Sequence, residues 1–216
     1  MEMKIIRVIL ETTMLKEMKF FYHDTLELPL IRDTENFFTV QAGKTLLTFT
    51  SVAGEKRYYH IALRTNLNNF DYFFMKLESI LLPDEEGRTS LYWNGRQVYF
   101  HDPEGNVIEI LERKSIYGNE KSKWHDICEV GMPVSDVEDF NRWLSRIPNE
   151  NSSESDTFRF YGERDFGNFV LVKEGRPWFP TDRSASIHPL TIEVEGSEYA
   201  VMKHPVLPYT ITMKKR

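Results

Sequence analysis

Apolar residues recur in one order along this chain. Residues 5–11 alternate as a β-strand does, and Leu15, Met18 and Tyr22 then follow at the spacing of a helix. Residues 39–41 and 46–50 alternate again and predict a hairpin. The pattern therefore predicts a module made of a strand, a helix and further strands.

The same order returns in a second and a third module, and a fourth begins in the same way. A second module has a strand at residues 57–64, an apolar helical stripe, and strands at 91–93, 97–100 and 107–112. The stripe consists of Phe70, Phe73, Phe74, Leu77 and Leu81. A third module begins with a strand at 127–134. We expect an α+β fold of repeated βαβββ modules forming two cup-shaped mixed sheets, the second smaller and degenerate.

A fourth module begins at residues 187–194 but leaves little room for a helix before a strand at 209–213. Thr191 and Glu193 occupy the face that such a helix would cover, and their polarity predicts that the helix is missing. We expect a complete unit at 1–113, a polar linker at 114–124 and a smaller unit at 125–216.

Composition narrows the class of partner. The formal net charge is −6, and the only short basic run is at residues 214–216, so we expect no nucleic-acid partner. No apolar run is long enough to cross a membrane, so no membrane partner is expected. The lone Cys128 cannot form an internal disulfide and fits a reducing compartment, so a cytoplasmic protein is the expectation.

The most informative stretch is YFHDPEGNVIEILER at residues 99–113. The run from Asp102 to Asn106 has the composition of a tight turn, with Pro103 fixing φ and Gly105 able to take a positive φ. The strand after it alternates, which places Glu109 on a face that should be enclosed. On pattern alone this is either a structural hairpin with a solvated glutamate or a buried carboxylate at a site.

This stretch resembles the last hairpin of the vicinal oxygen chelate superfamily, which includes glyoxalase I, bleomycin- and fosfomycin-resistance proteins and extradiol dioxygenases. Residues 21–30, FYHDTLELPL, resemble the other signature of that family. The resemblance implies that two modules close a sheet into a cup and that Glu109 is a metal ligand. Aligned on the family pattern, the other ligand positions fall at Arg7, at Thr48 or its neighbour Leu47, and at His60, Glu129 and His188.

The resemblance leaves two ways of pairing the modules. Sequential pairing, our first expectation by analogy, joins modules one and two. Arg7 then stands where the family has a ligand, and a guanidinium repels a cation. We therefore expect Arg7 to form an ion pair with Glu109 or Glu11. That cup would also contain His60, and its remaining pocket residues would be Thr48 and Arg64.

The alternative joins modules two and three. His60, Glu109 and Glu129 would then converge on a single divalent metal ion, with Mn, Fe or Zn favoured by one imidazole and two carboxylates.

Three functions remain open at this point. The first is an enzyme that uses a metal to act on a small oxygen-bearing molecule, as a lyase, isomerase, transferase or dioxygenase. The second is a metal-free protein that sequesters a small-molecule ligand by means of Arg7 and Arg64. The third is an interaction protein, since a complete unit followed by a truncated one resembles streptococcal CppA-type proteins. The family often assembles its cups from two chains, so the resemblance allows a homodimer.

Overall fold

A computed structural model describes residues 3–84, 90–92, 95–113, 122–147, 149, 155–163 and 167–215. The first module contains β1 (Ile5–Thr12), α1 (Leu15–Phe20), β2 (Leu30–Asp33), β3 (Phe37–Ala42) and β4 (Thr45–Ser51). The second contains β5 (His60–Thr65), α2 (Leu67–Leu77), β6 (Leu81–Leu82), β7 (Ser90–Tyr92), β8 (Gly95–His101) and β9 (Val107–Glu112). The third contains β10 (Asp126–Val134), α3 (Val137–Trp143), β11 (Phe158–Glu163) and β12 (Gly167–Lys173). The fourth contains β13 (Leu190–Gly196), β14 (Ala200–Lys203) and β15 (Tyr209–Lys215).

The helices begin and end as local chemistry requires. The Asn66 side chain caps α2 by accepting from the Asn69 amide, and Asp136 caps α3 in the same way. The first helix continues from α1 into a π-helical turn at Phe21–Thr25. No described helix has the length and apolarity needed to cross a membrane.

The strands form two mixed sheets, which confirms the α+β fold. The first sheet has the order β14-β15-β13-β1-β4-β3-β2, and the second has the order β11-β12-β10-β5-β9-β8-β6 with β7 beside β8. Module one therefore pairs with module four through β1 and β13, and module two pairs with module three through β5 and β10. The sequential pairing that we expected is wrong.

Each sheet takes strands from both predicted units, 1–113 and 125–216, so neither unit forms a cup by itself. The boundaries of these units stay a prediction. Most of the expected linker, residues 114–121, lies outside the described residues.

The two sheets share one core. Its buried side chains come from one face of each sheet and from the helices; they include Val8, Leu10, Ile61, Leu63, Phe70, Phe140, Ile192 and Ile211. Fully burying a side chain of this kind stabilises the fold by roughly 1.5–3 kcal/mol. The opposite, concave faces of the sheets are therefore the ones left for polar residues and ligands.

The connection between β13 and β15 contains the short strand β14 and no helix, as expected. The reason that we gave for it is wrong. Ile192 pairs with Val8 and is buried in the core, whereas Glu193 pairs with Arg7, and Thr191 is likewise only partly buried. Thr191 and Glu193 thus lie on the concave face and not on the face that a helix would cover.

Helix α3 of the third module reaches over to the fourth. The Phe140 ring lies 5.7 Å from the Tyr209 ring, and Trp143 lies 5.0 Å from His204. The Tyr209 hydroxyl also donates a hydrogen bond to the Pro133 carbonyl. Helix α3 therefore packs against the start of β15 and the segment before it, where the fourth module has no helix of its own.

Candidate metal site

Three potential ligands meet on the concave face of the second sheet. His60 comes from β5, Glu109 from β9 and Glu129 from β10, and one ligand atom from each lies within 4.8 Å of the others. Strand β5 runs between the other two, and Ala62 pairs with Glu109 on one side and with Glu129 on the other. Because alternate residues of a strand share a face, His60 stands two positions from Ala62 on that same face. The small Ala62 side chain leaves room for the two carboxylates beside it.

The His60 imidazole is held with one nitrogen available. Its Nδ1 lies 3.0 Å from the Val107 carbonyl oxygen, which can only accept, so Nδ1 carries the proton. Nε2 lies 3.7 Å from Oε2 of Glu109. Burial lowers the pKa of His60 to about 4, so the ring is neutral at neutral pH. A backbone acceptor on Nδ1 and a bare Nε2 are the arrangement usual for histidine ligands.

The two carboxylates are held in an unfavourable environment. Burial, and then the charge of Glu129, raise the pKa of Glu109 well above its usual value. Burial also raises the pKa of Glu129 to about 7, against the opposing charges of Arg113 and Arg64. Two like charges this close favour a shared proton or a cation between them.

Glu109 is oriented by a chain of hydrogen bonds along β8. The Tyr99 hydroxyl donates to Oε1 of Glu109 at 2.9 Å, and Nε2 of Gln97 donates to the Tyr99 oxygen at 3.0 Å. All three side chains are buried. Such outer partners fix a ligating carboxylate in place.

The pairing of modules two and three makes their first strands equivalent in position. Ala62 pairs with Glu109 across β5 and β9, and Gly131 pairs with Val170 across β10 and β12. Val170 therefore occupies the position in module three that Glu109 occupies in module two. A valine cannot ligate, so one side of the group of ligands is apolar.

A cavity of about 490 Å³ opens over this group. Its walls combine aromatic rings with a few charged and polar side chains; they are His60, Gln97, Tyr99, Glu109, Leu111, Arg113, Glu129, Phe158, Phe160, Val170, Arg176, Trp178 and Phe179. The volume is within the range usual for sites that bind small molecules.

Three of the predicted pocket residues lie in the other sheet. Arg7 and Glu11 belong to β1, and Thr48 belongs to β4. The ion pair predicted for Arg7 is wrong: Glu11 pairs with Arg57 at 3.2 Å, and Nε of Arg7 is buried without a hydrogen-bond partner among the described residues. The cause is the module pairing, which carries β1 away from Glu109.

Arg64 is on β5 as predicted, but its guanidinium is engaged elsewhere. Nε and the second terminal nitrogen donate to the two oxygens of Asp126 at 2.7 and 2.5 Å, and both residues are buried. His188 lies against the rings of Tyr58 and Tyr59 and is not part of the group of three ligands.

Sequence reasoning missed Gln97, Tyr99, Arg113 and Trp178. For the first two a signal was present, since Val98 and Phe100 are the core-facing partners in an alternating strand. Trp178 lies in the connection between β12 and β13, where no periodicity indicates the direction of a side chain.

Residues 4–110 match the family model described as Glyoxalase/Bleomycin resistance protein/Dioxygenase superfamily. This stretch includes the two signatures and both His60 and Glu109. Residues 4–110 belong to that superfamily.

Two solved structures extend the likeness to the whole length of the chain. A Bacillus subtilis protein described provisionally as a dioxygenase is 16% identical and has a TM-score of 0.66, with 97% of this chain and 84% of that one covered. Glyoxalase I from Zea mays is 13% identical and has a TM-score of 0.60, with 98% and 92% covered. At these identities the likeness shows the vicinal oxygen chelate fold. No curated protein sequence matches the chain significantly.

Proposed function

We propose that His60, Glu109 and Glu129 bind one divalent metal ion and that the protein acts on a small oxygen-bearing molecule in the adjoining cavity. The observation that carries this proposal is the convergence of three ligand atoms within 4.8 Å on the concave face. The superfamily resemblance supports it, because Glu109 occupies the position of the family's carboxylate ligand.

The residues present fit a divalent cation. One neutral imidazole and two carboxylates suit Mn, Fe or Zn better than softer metals. A cation between Glu109 and Glu129 would also relieve the repulsion that, after burial, raises the pKa of Glu109. Val170 leaves a side of the site without a protein ligand, which is where water or substrate oxygens could bind.

When bound, such an ion supplies Lewis-acid chemistry by polarising a substrate oxygen. The chain itself supplies orientation and a cavity with several aromatic walls. Tyr99 and Gln97 fix Glu109, and the Val107 carbonyl fixes His60. The reaction we infer is therefore one of the metal-assisted lyase, isomerase, transferase or dioxygenase reactions of this superfamily.

The alternative of a metal-free protein that sequesters a ligand is not supported by the positions of the residues that it requires. It required Arg7 and Arg64 to meet an anionic ligand in one cup. Arg7 lies in the first sheet, and Arg64 is bonded to Asp126. No observation favours it over the metal site.

Calorimetric titration of chelator-treated protein with Mn²⁺, Zn²⁺ and, without oxygen, Fe²⁺ tests the proposal. We expect one ion per chain, with binding lost in His60→Ala and in Glu129→Ala. Matched controls are His23→Ala and Glu198→Ala, both exposed residues away from the site, which should bind as the wild type does. No binding of any ion, or binding that is indifferent to Glu129, would contradict the proposal.

A further inference from the structure

The segment from residue 174 to 189 connects the two sheets and places an indole over the candidate metal site. Trp178 is only 4% exposed, and its ring stacks on the His60 imidazole at 4.8 Å between centroids with an interplanar angle of 29°. A Cβ at Gly131 would lie 2.6 and 2.9 Å from two atoms of that indole. A glycine at this position is therefore what allows Trp178 to reach the floor of the cup.

The indole N–H of Trp178 is buried and has no hydrogen-bond partner among the described residues. The indole atoms nearest to Gly131 are Cη2 and Cζ2, and Nε1 is attached on the Cζ2 side of the ring. The N–H is therefore bonded beside the edge of the ring that contacts Gly131. An unpaired buried donor is unfavourable, and an acceptor atom on a ligand in the cavity would remove that cost.

Planar aromatic rings form much of the cavity wall. Phe158 and Phe160 pack edge to face with ring centroids 5.0 Å apart, and Phe179 packs in the same way against Tyr99 at 5.4 Å. Together with Trp178 these rings provide several aromatic surfaces around the volume above the three ligands. Aromatic rings bind planar conjugated groups well by stacking and edge contacts.

The charges of the cavity favour an anion. Arg113 and Arg176 both line it, and neither forms an ion pair with a carboxylate in the part of the chain that is described. Their two positive charges balance the two negative charges of Glu109 and Glu129 when both carboxylates are ionised. The binding of a divalent cation would therefore leave the cavity with an excess of positive charge. Arg176 also lies over the Phe158 ring at 4.6 Å, which places a cation beside a flat wall.

We propose that the cavity takes a planar aromatic or conjugated carboxylate. Its flat part packs between Trp178 and Phe158, its carboxylate binds Arg176 and Arg113, and an oxygen atom accepts from Nε1 of Trp178. This inference rests on the proposed function only in placing the ligand beside the metal. The binding preference itself requires the aromatic walls and the two arginines, so the two proposals can fail separately.

Three probes of similar size test this inference by calorimetry. Naphthoate is flat and anionic, naphthylmethanol is flat but neutral, and decahydronaphthoate is anionic but not flat. We expect manganese-loaded protein to bind naphthoate at least about tenfold more tightly than either of the others. Equal affinity for naphthoate and naphthylmethanol would overturn the assignment of an anion, and equal affinity for the two acids would overturn that of a flat group.

Variants of Arg176 and Trp178 test whether these residues cause the preference for naphthoate. Arg176→Gln should remove most of the preference for naphthoate over the alcohol, whereas Arg142→Gln, an exposed arginine on α3, should leave it unchanged. Trp178→Phe keeps a ring and removes the N–H, and should weaken naphthoate binding severalfold. Unchanged preferences in both site variants would contradict the inference.

The same titrations in metal-free protein separate the two proposals. If no metal binds but naphthoate is still preferred, the proposed function fails and the ligand class stands. If metal binds tightly but the probes are not discriminated, the ligand class fails and the metal site stands.

Discussion

The paired carboxylates of the candidate metal site should destabilise the metal-free protein at alkaline pH. Replacing Glu129 by glutamine keeps the shape of the side chain and removes one of the two charges. We therefore expect Glu129→Gln to be more stable than the wild type above neutral pH when no metal is present. A change that stabilises the fold while abolishing metal binding is typical of a site selected for function.

The magnitude follows from the pKa of Glu129. It is raised from 4.5 to about 7 by burial, a difference of about 2.5 pH units. At 1.36 kcal/mol per unit this corresponds to a free energy of unfolding lower by on the order of 3 kcal/mol at pH 8. The folded state holds the proton more tightly, so this contribution is fully present below about pH 4.5 and is lost as the pH rises through about 7.

Urea denaturation with a chelator present, at pH 5 and pH 8, measures this difference. We expect the wild type to lose more stability than Glu129→Gln between the two pH values, and Glu109 should act in the same direction because burial, and then the charge of Glu129, raise its pKa. Glu198→Gln, at an exposed position, is the control and should follow the wild type. Parallel curves for the wild type and Glu129→Gln would refute the reasoning.

Further predictions concern the surroundings of the site. Tyr99→Phe removes the hydrogen bond to Glu109, and manganese affinity measured by calorimetry should fall about 10- to 100-fold; unchanged affinity would argue against an orienting role. Arg64→Ala leaves Asp126 buried without its partner and should lower the denaturation free energy by about 3–5 kcal/mol, whereas a loss below about half a kcal/mol would show that the pair is not enclosed. Manganese affinity should fall about tenfold per pH unit below pH 7, because the carboxylate of Glu129 must lose its proton before it can ligate; a fall that begins only near pH 4 would assign the effect to the imidazole instead.

The sequence predicts the modules well because their signals are local. Strand alternation and helical spacing depend on neighbours a few residues apart, and the turn chemistry of residues 102–106 does too. His60 and Glu109 could be found in this way, since both strands belong to one module and pair in parallel. Glu129 could be proposed as a ligand position, but its distance from the other two depended on the module pairing.

Module pairing is a different kind of problem, because the connecting segments permit both arrangements. β4 ends at Ser51 and β5 begins at His60, while β9 ends at Glu112 and β10 begins at Asp126. Segments of this length can carry the chain to the next strand of the same sheet or across to another sheet. Local patterns therefore could not decide between the two cups.

A cross-strand ion pair was the signal that could have decided it. Arg64 on β5 faces the concave side and needs a buried partner, and Asp126 on β10 provides it. Strict alternation counted back from Glu129 places Asp126 on the opposite face, which conceals the pair. The register of β10 against β5 shifts between Ile127 and Glu129, and such a β-bulge inserts one residue and returns Asp126 to the side of Arg64.

The first sheet has a shift at the corresponding place. The register of β1 against β13 changes between Ile5 and Arg7, just before the position where Arg7 pairs in register with Glu193. In both sheets an irregularity in a module's first strand therefore lies within two residues of a position where residues of opposite charge pair across the module boundary. Opposite charges at facing positions favour one register over its neighbours. A bulge does not appear in the alternation of apolar and polar residues. The sequence pattern therefore does not show which charged residues face each other, and these pairs are identified only from the paired strands.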